Sequence, residues 1–141
     1  MQSNLKRSER RRRHQSGQAI VEGALVMLVF LTITFGLMDF GRMVWSYTMI
    51  SHGAREATRY AMVRGTSSGH AATKSQIQGI VTSRSPGLDT SNTTSDVTFT
   101  PDQSPGSTVK VVVTYNFYPI APYIPIGAIT MKSTSQMVIY Q

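Results

Sequence analysis

Residues 17–42 read GQAIVEGALVMLVFLTITFGLMDFGR. Within them, residues 19–38 carry one ionisable group, Glu22, and the sixteen residues from Gly23 to Met38 carry none. Twenty residues at 1.5 Å each make a helix of about 30 Å, one hydrocarbon thickness. Thr32 and Thr34 can return their hydroxyls to helix carbonyls and need no outside partner. A chain of 141 residues has too little other mass to cover such a helix on every face. The stretch therefore predicts a membrane-spanning helix. A cleaved signal peptide would have a shorter apolar region, of about 7–15 residues, and a small-x-small site after it. Here the run ends in Met38-Asp39-Phe40-Gly41-Arg42, which offers no such site.

Charge decides the orientation. The formal net charge is +7, from 14 basic and 7 acidic residues. Lys6, Arg7, Arg10, Arg11, Arg12 and Arg13 precede the apolar stretch with only Glu9 against them, so residues 1–17 hold +5 of that charge. Just beyond the stretch, Asp39 and Arg42 cancel. Basic flanks stay on the cytoplasmic side. The expected arrangement is a single-pass membrane protein with its N-terminus in the cytoplasm and its C-terminal part outside.

Glu22 is the anomaly in the span. A carboxylate there is costly unless it reaches the interface, is protonated or finds a partner. An interfacial position needs no functional account. A second reading uses Gly17. A cut after Gly17 makes Gln18 the first residue and Glu22 the fifth. The new α-amino cation and a Glu22 carboxylate on a neighbouring copy would each make the other's burial tolerable. Gly17 is compatible with the extended backbone of a protease site.

A basic tail, Gly17, a glutamate five residues on and an apolar helix resemble the processing region of type IV pilins and pseudopilins. The run from Gly17 to Val26, GQAIVEGALV, is similar to the opening of the TadE/TadG-like proteins, minor pilin-like proteins of the tight-adherence (Flp-type) pilus. The similarity continues through Phe35-Gly36-Leu37-Met38-Asp39-Phe40-Gly41-Arg42 and through residues 53–61, GAREATRYA. It covers residues 16–61 with three motifs in order. The resemblance implies cleavage between Gly17 and Gln18 by a prepilin peptidase, a role for Glu22 in processing or packing, and other pilin-like subunits or pilus assembly proteins as partners. Flp major pilins favour Glu-Tyr where this chain has Glu22-Gly23, and they are much shorter. Both differences point to a minor, TadE-like component.

No proline occurs before Pro86. Phe40, Met43, Tyr47, Ile50, Ala54, Ala57 and Ala61 follow each other at spacings of 3 and 4, a helical stripe. The expectation is one helix over 18–64, about 70 Å long, closed by a Gly65 cap with Arg64 in its last turn. The first reading is that this stripe packs only on the chain's own C-terminal domain; the alternative is that part of it contacts neighbouring subunits. Asp39 with Arg42 and Glu56 with Arg59 are i,i+3 ion pairs. Asp39 is expected to end the apolar span at the headgroups.

The rest reads as a small α+β unit. Residues 65–71 read as a loop and 72–82 as a short helix with Ile77, Ile80 and Val81 on one side. Residues 84–95 form a turn-rich connection. Three strands follow, at 96–100, 109–118 and 129–140. Val97 and Phe99 share a face in the first. Val109, Val111, Val113, Tyr115 and Phe117 do so in the second, and Ile129, Met131, Met137 and Ile139 in the third. Pro105-Gly106 marks a turn, and 119–128 an apolar, proline-rich loop containing Ile120, Tyr123, Ile124 and Ile126. Three antiparallel strands cannot bury an apolar face alone, and the outer half of the long helix is their natural partner. The fold class is α+β: a transmembrane helix continues into a spine packed on a small antiparallel sheet, as in type IV pilins. The divisions are a basic cytoplasmic leader (1–17), a transmembrane and spine helix (18–64) and a small extracytoplasmic domain (65–141).

The chain has no cysteine, and His14, His52 and His70 are widely spaced. No thiolate chemistry, metal site, cofactor or catalytic motif is indicated. The leading function is a structural or assembly component of a tight-adherence pilus or related secretion system. The alternative is a permanently anchored envelope binding module. A nucleic-acid partner for the basic arm is not expected, because an apolar span follows it and no aromatic-interleaved basic patch occurs elsewhere.

Overall fold

The computed structural model describes residues 2–120 and 127–140, with side chains from residue 17 onward. Its first helix, α1, spans Gln2–Met62 without a break. Residues 2–17 are therefore helical as well, so the helix starts upstream of the expected Gln18. Gln, Lys, Arg and Glu are good helix formers, so nothing in the leader stops a helix that starts downstream. Gly17 is helical too, and not extended. The C-terminal end also differs from expectation. α1 stops at Met62, and the Arg64 N–H closes a turn onto the Ala61 carbonyl at 3.1 Å. Gly65 has φ −78° and ψ −175°, so it is extended and does not form a left-handed cap. Arg64 lies over the Tyr60 ring, 3.9 Å from its centroid.

A one-turn 3-10 segment at Thr66–Ser68 leads to α2, Lys74–Ser83. Thr73 opens α2 with a reciprocal cap. The Gln76 N–H donates to Thr73 Oγ1, and the Thr73 N–H donates to Gln76 Oε1. Ile77 and Val81 are buried and Ile80 is partly buried against them, as their spacing predicts.

The strands are β1 (Thr93–Thr100), β2 (Thr108–Phe117) and β3 (Ile129–Val138). They form an antiparallel sheet in the order β1-β2-β3. β1 starts three residues earlier than its sequence suggests, because Thr93 pairs with Tyr115 and Thr94 with Thr114. Tertiary pairing outweighs the weak local signal of a polar run. The alternation in β2 and β3 is as expected. Val109, Val111, Val113 and Phe117 are buried, as are Met131 and Ile139. Ser135, opposite Val111, is buried between them. In the loop 119–128, Ile120 is described and exposed, whereas Tyr123, Ile124 and Ile126 lie outside the described residues.

The sheet packs on the outer part of α1, with α2 alongside. Ile50, Ala54, Ala57 and Ala61 meet Val97, Val109, Val111 and Val113 in one core. Each fully buried Val or Ile contributes about 1.5–3 kcal/mol by leaving water. The alanines keep the helix close to the sheet. At the far end, three hydrogen bonds join the elements. Tyr140 N–H donates to the Met62 carbonyl at 3.0 Å, Gly106 N–H to Ile139 at 2.9 Å, and Ile139 N–H to Ser107 at 2.8 Å. The turn there has Pro105 second and Gly106 third, with Gly106 at φ 89°, which favours glycine.

Asp102 stabilises that turn. It accepts hydrogen bonds from the Ser104 N–H and hydroxyl and from the buried Ser107 hydroxyl. The Ser104 and Ser107 hydroxyls and the Ser104 amide hold its carboxyl down to about 2. A carboxyl lowered on folding stabilises the fold above its unfolded value, near 3.8, and loses that effect as pH falls through about 2. Between pH 4 and pH 2 the melting temperature of the parent chain is expected to fall more than that of Asp102→Asn. Parallel melting curves across this interval check it, and equal falls would contradict the assignment.

Candidate functional site

None of residues 17–38 is buried, and the span they define is long and apolar enough to cross a membrane. Ile20, Val21, Leu25, Phe30 and Ile33 all point outward. An apolar helix bare on all sides is unstable in water and stable in lipid. Gly17, Gln18 and Glu22 lie on this bare helix, and Glu22 has no hydrogen-bond or ion-pair partner among the described residues. The structure thus brings the predicted cut site and the carboxylate onto one exposed helix.

Cover by the rest of the chain starts on one row. Leu31 and Phe35 are half-buried, and Asp39, one turn on, is 9% exposed. Asp39 does more than end the span. Its carboxylate accepts the Ile120 N–H at 3.0 and 2.9 Å on its two oxygens. Arg42 donates to it at 2.8 Å. The Arg42 guanidinium also lies 5.1 Å from the Phe117 ring centroid. A charge-assisted cluster therefore fastens the end of β2 to α1 at the point where α1 leaves the span. Sequence reasoning paired Asp39 with Arg42 but had no signal for Ile120, which is 81 residues away.

The predicted stripe divides. Ile50, Ala54, Ala57 and Ala61 are buried, and Met43 packs against the core. Phe40 and Tyr47 are not packed, and are 60% and 51% exposed. At 100° per residue they lie roughly 60–80° round the helix from Ile50. The covered face is completed by small residues that apolar counting passes over: Ser46, Gly53 and Thr58. Thr58 returns its hydroxyl to the Ala54 carbonyl at 2.7 Å. Tyr47 instead lines an open groove of about 620 Å³ between α1 and the free edge of β3, with Thr48, Ser51, Arg55 and residues 133–137. Glu56 and Arg59 are 3.7 Å apart at the surface, a pair of small energetic weight.

Among the described residues no group of three or more histidine or acidic side chains is placed to hold a metal ion, and no catalytic cluster or cofactor-binding motif is present. The arrangement is that of a membrane-anchored structural protein: a bare apolar helix that continues as the spine of a small α+β head. Residues 17–59 match the family model for TadE-like protein, so the TadE-like assignment holds over this part of the chain. That matched part contains the helix that is long and apolar enough to span a membrane, and it continues into the spine of the head. No curated protein matches it significantly, and no solved structure does.

Proposed function

We propose that this protein is a minor pilin-like subunit of a tight-adherence pilus or related secretion system. It inserts in the bacterial inner membrane with its basic leader in the cytoplasm and its head outside. A prepilin peptidase cuts between Gly17 and Gln18. The span then packs laterally against other pilin-like subunits, where Glu22 of one copy neutralises the α-amino group of another. The observation that carries this reading is the division of α1. The head packs on one side of residues 39–62, whereas residues 17–38 are left open to lipid or neighbouring helices except along the row of Leu31 and Phe35, which are half-buried. Phe40 and Tyr47, exposed beside the head, extend that free surface outward.

An opposed charge pair in a low-dielectric interface is strongly destabilised when one partner is removed. Glu22→Ala is therefore expected to insert in the membrane normally but to enter sheared filaments at least about tenfold less, the factor that 1.4 kcal/mol produces. Immunoblotting of membrane and sheared fractions reads both quantities. Equal filament content for the two chains would contradict the role given to Glu22. One feature favours the alternative of a permanent, uncut anchor: α1 is continuous through Gly17, so cleavage requires the helix to unwind locally there.

A further inference from the structure

We infer that the membrane-proximal rim of the head rests on the outer leaflet of the bilayer, fastened at that depth by Asp39. This inference rests on the membrane-spanning reading of residues 19–38, since the position of the bilayer is taken from it. Twenty helical residues span about 30 Å, so Asp39 stands at the hydrocarbon boundary. Ile120 is bonded through its N–H to the Asp39 carboxylate and shares that depth. The side chains around this point are apolar and uncovered. Ile120 and Tyr118 are each 56% exposed, and Phe40 is 60% exposed. In water these would form an exposed patch without a partner. At the boundary of acyl chains and headgroups they are in their favoured environment, with Tyr118 as an amphipathic ring of the interfacial kind.

Three further observations fit this placement. First, the lengths match. The 24 residues of 39–62 rise about 35 Å as helix, and the ten residues of β2 cover about 33 Å as strand. At the far end Ser107, just before β2, bonds Ile139 while Tyr140 bonds Met62, and at the near end Ile120, three residues after β2, bonds Asp39, so no gap separates the head from the span. Second, Leu31 and Phe35 are half-buried, so cover of the helix reaches about two turns below Asp39, into the depth of the apolar span. Third, the charges at the rim are neutralised within the chain. Asp39 is bonded by Arg42 and by a backbone N–H, and Arg42 is stacked on Phe117. A carboxylate satisfied in this way is tolerated at a lipid boundary where a free one is not. The surface continues the lipid-facing surface of the span itself, which argues for lipid as its occupant. The head would then be held at two points and in one orientation, and leaving the membrane for a filament would require releasing the rim as well as the helix.

The chain has no cysteine, so single nitroxide labels report single sites. Leu28→Cys, Ile120→Cys and Tyr140→Cys are placed in the full chain, reconstituted in vesicles of phosphatidylethanolamine and phosphatidylglycerol. Collision with oxygen and with a water-soluble nickel chelate then gives the depth of each label. The Ile120 label is expected to be about tenfold less accessible to the chelate than the Tyr140 label, and to keep that protection on dilution of the protein in lipid. Asp39→Ala in the Ile120→Cys background is expected to move its accessibility toward the Tyr140 value. An Ile120 label as accessible as Tyr140, with Leu28 in lipid, would overturn the inference and leave the span intact. Protection that vanishes on dilution would assign the cover to a second copy and overturn the lipid contact. Unchanged protection in Asp39→Ala would overturn the fastening role of Asp39. A water-accessible Leu28 would overturn the span and the inference together.

Discussion

Asp39→Ala is expected to lower the unfolding free energy of the full chain in detergent micelles by about 2–4 kcal/mol. The substitution removes the acceptor of the Ile120 N–H and of Arg42 in one step. It leaves an amide without its partner and a guanidinium stacked on Phe117 without its counter-charge. Hydrogen bonds to a charged group contribute about 1.5–3 kcal/mol, and an orphaned donor costs about 1–3. Arg42 is partly exposed and recovers some hydration, so the total falls short of the sum. Asp39→Asn keeps one carbonyl oxygen for Ile120 and loses the ion pair, so it should cost roughly half as much. The single tryptophan, Trp45, provides the signal for denaturant titration. A change below about 1 kcal/mol for Asp39→Ala would show that the cluster is surface decoration.

The second large effect is expected where α2 crosses α1. A Cβ on Gly53 would collide with Ser85 Oγ and stand 3.3 Å from the Val81 carbonyl oxygen. Gly53→Val is expected to destabilise by about 3 kcal/mol, since a branched side chain cannot avoid the backbone oxygen. Gly53→Ala can be accommodated by turning the Ser85 hydroxyl away, which breaks its bond to the Met49 carbonyl. Its cost is about 1–2 kcal/mol, less the gain of about 1 kcal/mol in helix propensity. In a Ser85→Ala background the hydroxyl is already absent, so Gly53→Ala should become neutral or stabilising. Equal effects of Gly53→Ala in the two backgrounds would contradict this contact, because residues in direct contact must show coupling.

These two sites also mark where the sequence is legible. The span is readable because length and absence of charge alone define it. β2 is readable because five apolar residues recur at every second position, with Val112 the one apolar residue between them, and its partner strand follows the same period. Phe40 and Tyr47 are misleading because a 3,4 spacing selects apolar residues within a broad arc, and the sheet covers only part of that arc. The buried face includes Ser46, Gly53 and Thr58, which are small and which hydropathy does not single out. Gly53 is covered where α2 crosses, beside Val81 and Ser85, and no local pattern encodes that crossing. Gly65 resembles a helix cap by type and position. Its backbone instead extends toward a segment bonded to Gln103 and Ala72, so a distant contact sets the end of α1. The Asp39 cluster is hidden for the same reason. The i,i+3 spacing to Arg42 is visible locally, whereas Ile120 arrives only after the sheet has folded back along the helix.

The central claim is that this membrane-anchored helix is matured as a pilin-like subunit. The most direct test is the intact mass and N-terminal residue of the protein isolated from its own cells with an active prepilin peptidase. The account predicts a chain that begins at Gln18 and is lighter by the mass of residues 1–17. A chain that still begins at Met1 would contradict it and leave an uncut, membrane-anchored envelope module, with Glu22 as an interfacial residue.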